Sequence, residues 1–179
     1  DNASHSSAGS EKTYYSIQTA IENKNDVEKL DLHYKGYKYF PREIFEFTNL
    51  KELIIWNNEI TEIPDNIGQL KSLEKLELSG NLLQTLPDSI GELENIRENR
   101  LVELPRNFGE LKSLIKFRAS GNHLSLLPES IVKLPVLRKL EVQENVITEL
   151  PKAIGQMKQL EKIRLYKNLL DKLPNSICE

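Results

Sequence analysis

Residues 73–95 read LEKLELSGNLLQTLPDSIGELEN, and the reading of this stretch decides the fold. Leu73, Leu76 and Leu78 open it with a two-residue alternation, the pattern of a short strand whose Leu76 and Leu78 point inward. Asn81 stands at the bend that follows, where its side-chain amide can bond backbone groups that the turn leaves unpaired. Leu83 and Leu86 return apolar side chains to the core, and Pro87, lacking an N–H, forbids a continued ladder. Ile90 and Leu93 close the coil from the opposite side, and Gly91 permits a tight path there.

The stretch is one of a series. Pro41, Pro64, Pro87, Pro105, Pro128, Pro151 and Pro174 are spaced by 23 residues, except for a step of 18 between Pro87 and Pro105. A fixed period in the twenties marks a solenoid, in which no coil can bury its apolar face alone. On one register the units begin at Val27, Leu50, Leu73, Ile96, Leu114, Leu137 and Leu160. Asn81 recurs as Asn58, Asn99, Asn122, Asn145 and Asn168. These leucines, isoleucines and asparagines are read as scaffold. An extended stacked surface points to binding rather than to chemistry.

The pattern LxxLxLxxNxLxxLPxxIGxLxx resembles the 23-residue leucine-rich repeat, the type found in Scribble-, Erbin- and Ras-suppressor-like scaffolds and in spirochaetal and other bacterial repeat proteins. The resemblance covers residues 27–179. It implies an α/β fold: a curved leucine-rich-repeat solenoid with a parallel sheet on the concave face and short helical, 3₁₀ or extended segments on the convex face. It also implies protein–protein binding, and it brings no catalytic residues. The first unit departs from the pattern, with Lys35 at the asparagine position and Tyr37, Phe40 and Phe47 at apolar ones.

The bulk numbers fit. The net charge of −3 lacks the basic excess of a nucleic-acid binder, and no apolar run approaches the roughly 18 residues of a membrane span. One cysteine, Cys178, excludes an intramolecular disulfide framework. The chain starts at Asp1 without a methionine, as it would after signal-peptide removal or after trimming to a domain, so secreted, cell-surface and cytoplasmic locations all stay open.

Residues 1–10 are small and polar and are read as a disordered tail, with Asn2-Ala3-Ser4 matching a glycosylation sequon. Residues 11–26 are assigned to an N-terminal helical cap, because Tyr14, Ile17, Ala20 and Ile21 recur at helix spacing between Thr13 and Asn23. Residues 27–179 form the repeat domain. Its last unit stops after 20 of 23 positions, with Cys178 at the usual glycine, so an uncovered edge is expected. The chain is expected to be a monomer, with dimerisation through that edge as the alternative. The fourth unit, Ile96–Ser113, is five residues short. Keeping Asn99 and Leu104-Pro105 in phase places the gap after Glu98, at the inward heart of the strand. The expectation is a lost strand with a kinked array, or residues skipped between Glu98 and Asn99.

Catalytic and metal chemistry find no support. His5, His33 and His123 lack ligand spacing, and at ~4.8 Å per coil His33 and His123 stand roughly 20 Å apart. Glycines occur singly, so no phosphate-cradling loop exists. No enzyme activity, cofactor or metal is expected. The informative residues flank the inward leucines, because alternation points them out of the concave sheet. Asp31, Ile54, Glu77, Arg118, Glu141 and Arg164 form one row; His33, Trp56, Ser79, Ser120, Gln143 and Tyr166 form the next. Tyr34 and Asn57 lead a third row, which continues through Gly80, Gly121, Glu144 and Lys167. A further row, Lys29, Glu52, Lys75, Glu98, Lys116, Lys139, Lys162, is basic in its C-terminal half and could steer an acidic partner. Trp56, the only tryptophan, with Ile54, His33 and Tyr34 makes an apolar-aromatic patch. The predicted partner-binding set is Trp56, Ile54, His33, Tyr34, Asp31, Glu77, Arg118, Arg164 and Tyr166, for a protein partner held on the concave face. The rival functions are an exported adhesin and a regulatory segment of a larger enzyme.

Overall fold

The computed structural model describes residues 12–90 and 93–177. The inward alternation becomes one short strand per unit: β2 (Lys29–Asp31), β3 (Glu52–Ile54), β4 (Lys75–Glu77), β5 (Leu93–Asn95), β6 (Lys116–Arg118), β7 (Lys139–Glu141) and β8 (Lys162–Arg164). They form one parallel sheet in chain order, with β1 (Thr13–Tyr14) paired to β2 at its edge. Register follows the repeat, so Leu30, Leu53 and Leu76 are neighbours, as are Phe117, Leu140 and Ile163. Leu30, Leu32, Leu53, Ile55, Leu76, Leu78, Phe117, Ala119, Leu140 and Val142 have no exposed surface.

After the strand the chain turns through its proline into a short 3₁₀ segment on the far side: Arg42–Glu46, Asp65–Gln69, Phe108–Glu110, Glu129–Lys133, Ile154–Gln156 and Asn175–Ile177. Pro41, Pro64 and Pro128 lead theirs with φ of −65°, −66° and −65°, where a fixed φ and a missing N–H cost nothing. Successive arcs approach closely. A Cβ on Gly109 would lie 1.9 Å from the Ser130 carbonyl oxygen, so the neighbouring coil demands glycine there.

The asparagines join the coils. Asn122 Nδ2 donates to Ala119 O in its own coil (3.1 Å) and to Ile96 O in the coil before (2.9 Å), while Oδ1 accepts from Leu101 N–H (3.1 Å). Asn81 makes the same bonds to Leu78 O, Ile55 O and Ile60 N–H. The residue before each ladder position adopts a left-handed backbone: φ is 53° at Tyr34, 51° at Asn57, 54° at Glu98, 59° at Glu144 and 54° at Lys167, with glycine at 80 and 121. That turn swings the asparagine inward beneath the strand end. It places Asn58, Asn81, Asn99, Asn122 and Asn145 in the core as satisfied polar groups.

Four expectations need correction. First, the short unit keeps its strand: β5 pairs with both β4 and β6, and the sheet is unbroken. Asn99 reaches back 21 residues to Leu78 O, where Asn81 reaches back 26 to Ile55 O, so the five missing residues lie between those bonded positions. Ile96 is buried three residues before Asn99, as Leu78 is before Asn81, which puts the gap ahead of Ile96 and not after Glu98. The return path before β5 takes up the gap, and the strand pairs with a register shift, Leu93 beside Leu76 and Asn95 beside Glu77. Glu98 therefore belongs to the left-handed position, not to the lysine row, and its N–H donates to Ser120 O (2.9 Å).

Second, the N-terminal helix is shorter than Thr13–Asn23. Ser16 caps α1 (Ile17–Ile21) by accepting the Thr19 N–H, and Thr13–Tyr14 extends the sheet instead, where the β2 edge supplies backbone partners. Third, Ile163 and Leu165 are half-buried, since β8 is covered on one side only among the described residues. Fourth, not all strand neighbours face solvent: Ser120, Glu141 and Gln143 are buried, Glu141 against three arginines. The readings of residues 1–10 and of Cys178 lie outside the described residues.

The ladder generates a test. Asn122→Ala would leave the Leu101 N–H buried and unpaired and remove one of the two amide donors to Ile96 O, so it should cost about 1–3 kcal/mol in denaturant unfolding. Asn168→Ala, at a half-buried rung, should cost clearly less in the same measurement.

Candidate binding surface

The sheet's outward rows gather the predicted residues into two groups. At the N-terminal end the left-handed turn at Tyr34 brings two rings onto the Trp56 indole. His33 stacks parallel on it, with centroids 4.8 Å apart and planes at 3°. Tyr34 meets it edge-on at 4.9 Å and 71°. Asp31 fixes the imidazole, with Oδ1 2.5 Å from His33 Nδ1. Ile54 pairs in register with Asp31 and flanks the group. Trp56 and Ile54 are half-buried, and Tyr34 is 67% exposed.

The second group lies four strands along. Glu141, 4% exposed, receives Arg97 Nη2 at 2.8 Å and faces Arg164 Nη1 at 3.4 Å and Arg118 Nε at 3.6 Å. Three guanidiniums surround one carboxylate. Arg118 and Arg164 were expected from the alternation, whereas Arg97 was missed because the gap had been put on the wrong side of it. With Asn99 as anchor, Arg97 stands in the Trp56 row between Ser79 and Ser120. The signal that could have found it was the constant two-residue offset to the ladder asparagine.

Between the groups a recess of about 330 Å³ is lined by Trp56, Asn57, Glu77, Ser79, Arg97 and Glu98. Ser79 Oγ and Arg97 Nε are buried without a hydrogen-bond partner among the described residues, as are Arg118 Nε and Gln143 Oε1 nearby. A larger recess of about 400 Å³, near Arg106, Pro128 and Pro151, contains none of these unpaired atoms. Tyr166 stands apart in the last coil, 56% exposed. Among the described residues no cluster of His, Cys, Asp and Glu could hold a metal, and no helix is long and apolar enough to cross a membrane.

Glu77 is engaged in a charge ladder across three strands. Lys29 and Lys75 each lie 2.6 Å from Glu52, and Lys75 lies 3.1 Å from Glu77. Burial alone would raise the Glu52 pKa, but hydrogen bonds from both lysines outweigh it and hold it below the ordinary 4.5. Burial would lower Lys75, and its bonds to Glu52 and Glu77 raise it above 10.5. The basic row is thus neutralised here, whereas Lys139 and Lys162 on β7 and β8 are exposed.

This arrangement, with its phased asparagines and parallel concave sheet, is that of a leucine-rich-repeat solenoid. The sequence agrees: residues 48–98 match the family model described as leucine rich repeat. Among solved structures, a leucine-rich-repeat protein of Leptospira interrogans is 31% identical with a TM-score of 0.76, over 93% of this chain and 50% of that one. The ectodomain of the Arabidopsis thaliana membrane receptor kinase GASSHO1/SCHENGEN3, in complex with Casparian strip integrity factor 2, is 28% identical with a TM-score of 0.68, over 90% of this chain and 20% of that one. The Arabidopsis receptor kinase HAESA, in complex with the peptide hormone IDA and the co-receptor SERK1, is 26% identical with a TM-score of 0.69, over 82% of this chain and 27% of that one. The chain thus spans half the length of the Leptospira protein and a smaller share of the two receptors. No curated protein matches it.

Two outcomes test the electrostatics. Glu52 has a lowered folded pKa, so its stabilisation is complete above the ordinary carboxylate value and is lost as pH falls through the folded one. Urea unfolding of Glu52→Gln should therefore lose less stability below about pH 4.5 than the native chain does. Glu141→Gln leaves three arginines facing one another without a counter-charge, and should destabilise by about 1–3 kcal/mol at neutral pH.

Proposed function

We propose that this chain is a protein-binding module that holds its partner on the concave face, anchored at Trp56. The observation that carries the reading is the stacked group of His33, Tyr34 and Trp56, set beside a recess with unpaired polar atoms. A large aromatic anchor beside a recess contributes most of the affinity at interfaces, and scattered rim charges contribute little. Ile54, Asp31 and Glu77 frame it, and Arg118 and Arg164 extend the surface along the sheet. The two receptor kinases among the structural neighbours were solved with bound partners, one of them a peptide hormone, which supports a binding role over a catalytic one.

Selection from a displayed random peptide library tests this. Selected ligands should perturb the fluorescence of Trp56, the only tryptophan, and lose at least tenfold in affinity to Trp56→Ala, about 1.4 kcal/mol or more. Trp56→Ala should change folding stability by less than about 1 kcal/mol, because the ring lies outside the core. Leu76→Ala, which opens a core cavity, should cost about 2–5 kcal/mol. Ligands that bind Trp56→Ala undiminished, with hydrogen-exchange protection confined to the 3₁₀ arcs, would overturn the reading.

A further inference from the structure

We infer that the partner supplies an acidic, extended segment, with one side-chain carboxylate entering between Arg97, Arg118 and Arg164 while a residue about six positions away packs on Trp56. This rests on the concave-face reading and adds the chemistry of the ligand. Charge is divided along the sheet. Strands β6 to β8 carry Lys116, Arg118, Lys139, Lys162 and Arg164 against Glu141 alone. Strands β2 to β4 carry Lys29 and Lys75 against Asp31, Glu52 and Glu77, already joined in ion pairs. The C-terminal half is therefore the half with cationic capacity to spare.

The unused capacity is local as well as global. Glu141 cannot neutralise three guanidiniums, and it takes a hydrogen bond from Arg97 Nη2 only. Arg97 Nε is buried without a hydrogen-bond partner among the described residues, and Arg118 Nε, 3.6 Å from Glu141 Oε2, is ion-paired but likewise not hydrogen-bonded, which is costly unless an acceptor arrives. Ser79 Oγ, unpaired in the adjoining recess, is a further donor. A carboxylate accepts several such bonds, and charge-assisted ones to guanidinium are the strongest.

Length follows from the sheet. Trp56 belongs to the β3 coil and the three guanidiniums converge on Glu141 of β7, so the indole and the arginine cluster are four strand steps apart, about 19 Å. An extended peptide advances about 3.3 Å per residue, which sets the apolar residue and the acid about six positions apart.

The probe is an acetylated, amidated peptide Leu-Gly-Ser-Gly-Ser-Gly-Glu-Glu-Ser, compared with its Gln-for-Glu counterpart, titrated against Trp56 emission with hydrogen exchange as a map. The acidic peptide should saturate, weaken steeply with added salt, and bind at least tenfold tighter than the glutamine peptide. Arg97→Gln should weaken it at least tenfold. Arg164→Gln, at the most exposed of the three arginines, should weaken it at least threefold and serves if Arg97→Gln does not fold. Equal binding of both peptides with protection on the sheet would overturn the acidic inference and leave the concave-face reading standing. Failure of both peptides to bind while library ligands still perturb Trp56 would do the same. Acidic-peptide binding that ignores the arginine variants and protects the 3₁₀ arcs would overturn both.

Discussion

The amide of one asparagine in every coil after the first holds this structure together. A solenoid turn leaves carbonyls and N–H groups pointing along the axis after each strand ends, where the sheet no longer pairs them. A side chain with two donors and an acceptor in one plane can meet its own coil and the preceding coil at once. Aspartate would lack the donors and leucine would lack everything. Asn81, Asn99, Asn122 and Asn145 each do this from a position almost free of solvent, so the stacking of coils is specified by hydrogen bonds as well as by leucine packing. The left-handed residue before each asparagine is the geometric condition for that reach, and non-glycine residues carry the strain at Tyr34, Asn57, Glu98, Glu144 and Lys167.

Much of this was legible because the period was long and its positions chemically distinct. Leu76 and Leu78 announce an inward pair, Asn81 a bend and Pro87 the end of a ladder, and the same order returns in every unit. Where the sequence misled, two placements competed and the wrong constraint was trusted. Keeping both the asparagine ladder and the Ile90-Gly91-x-Leu93 arc in phase pushes the gap to the far side of Glu98. The structure keeps the distance from the ladder asparagine to the inward residue three before it, and lets the return path shorten. Strand pairing fixes the first distance within tenths of an ångström, whereas an arc has slack. That error alone hid Arg97.

The surface was partly legible. Alternation put Trp56, Ile54, Arg118 and Arg164 outward, and the fold brought His33, Tyr34 and Trp56 into ring contact. Alternation says nothing about which outward residues are then covered by their neighbours. Glu141 lies among three arginines, and Ser120 and Gln143 are buried as well, so three positions expected in solvent are not there. Rows of side chains on a concave sheet converge, and long residues fold over short ones. That shielding depends on the identity of residues 23 or 44 positions away and cannot be read one repeat at a time.

Arg97 and Glu141 are 44 residues apart and belong to coils that are not adjacent. In a stacked array almost every contact joins a coil to its immediate neighbour, so stability propagates stepwise and the chain can open wherever one junction is weak. The irregular junction here is at β4 and β5, where the register shifts. A side chain that reaches across an intervening coil ties three coils into a unit that must open together. The arginine cluster thus acts on cooperativity as well as on charge: it lends the middle of the array, beside its least regular joint, a linkage that a strictly nearest-neighbour solenoid does not possess.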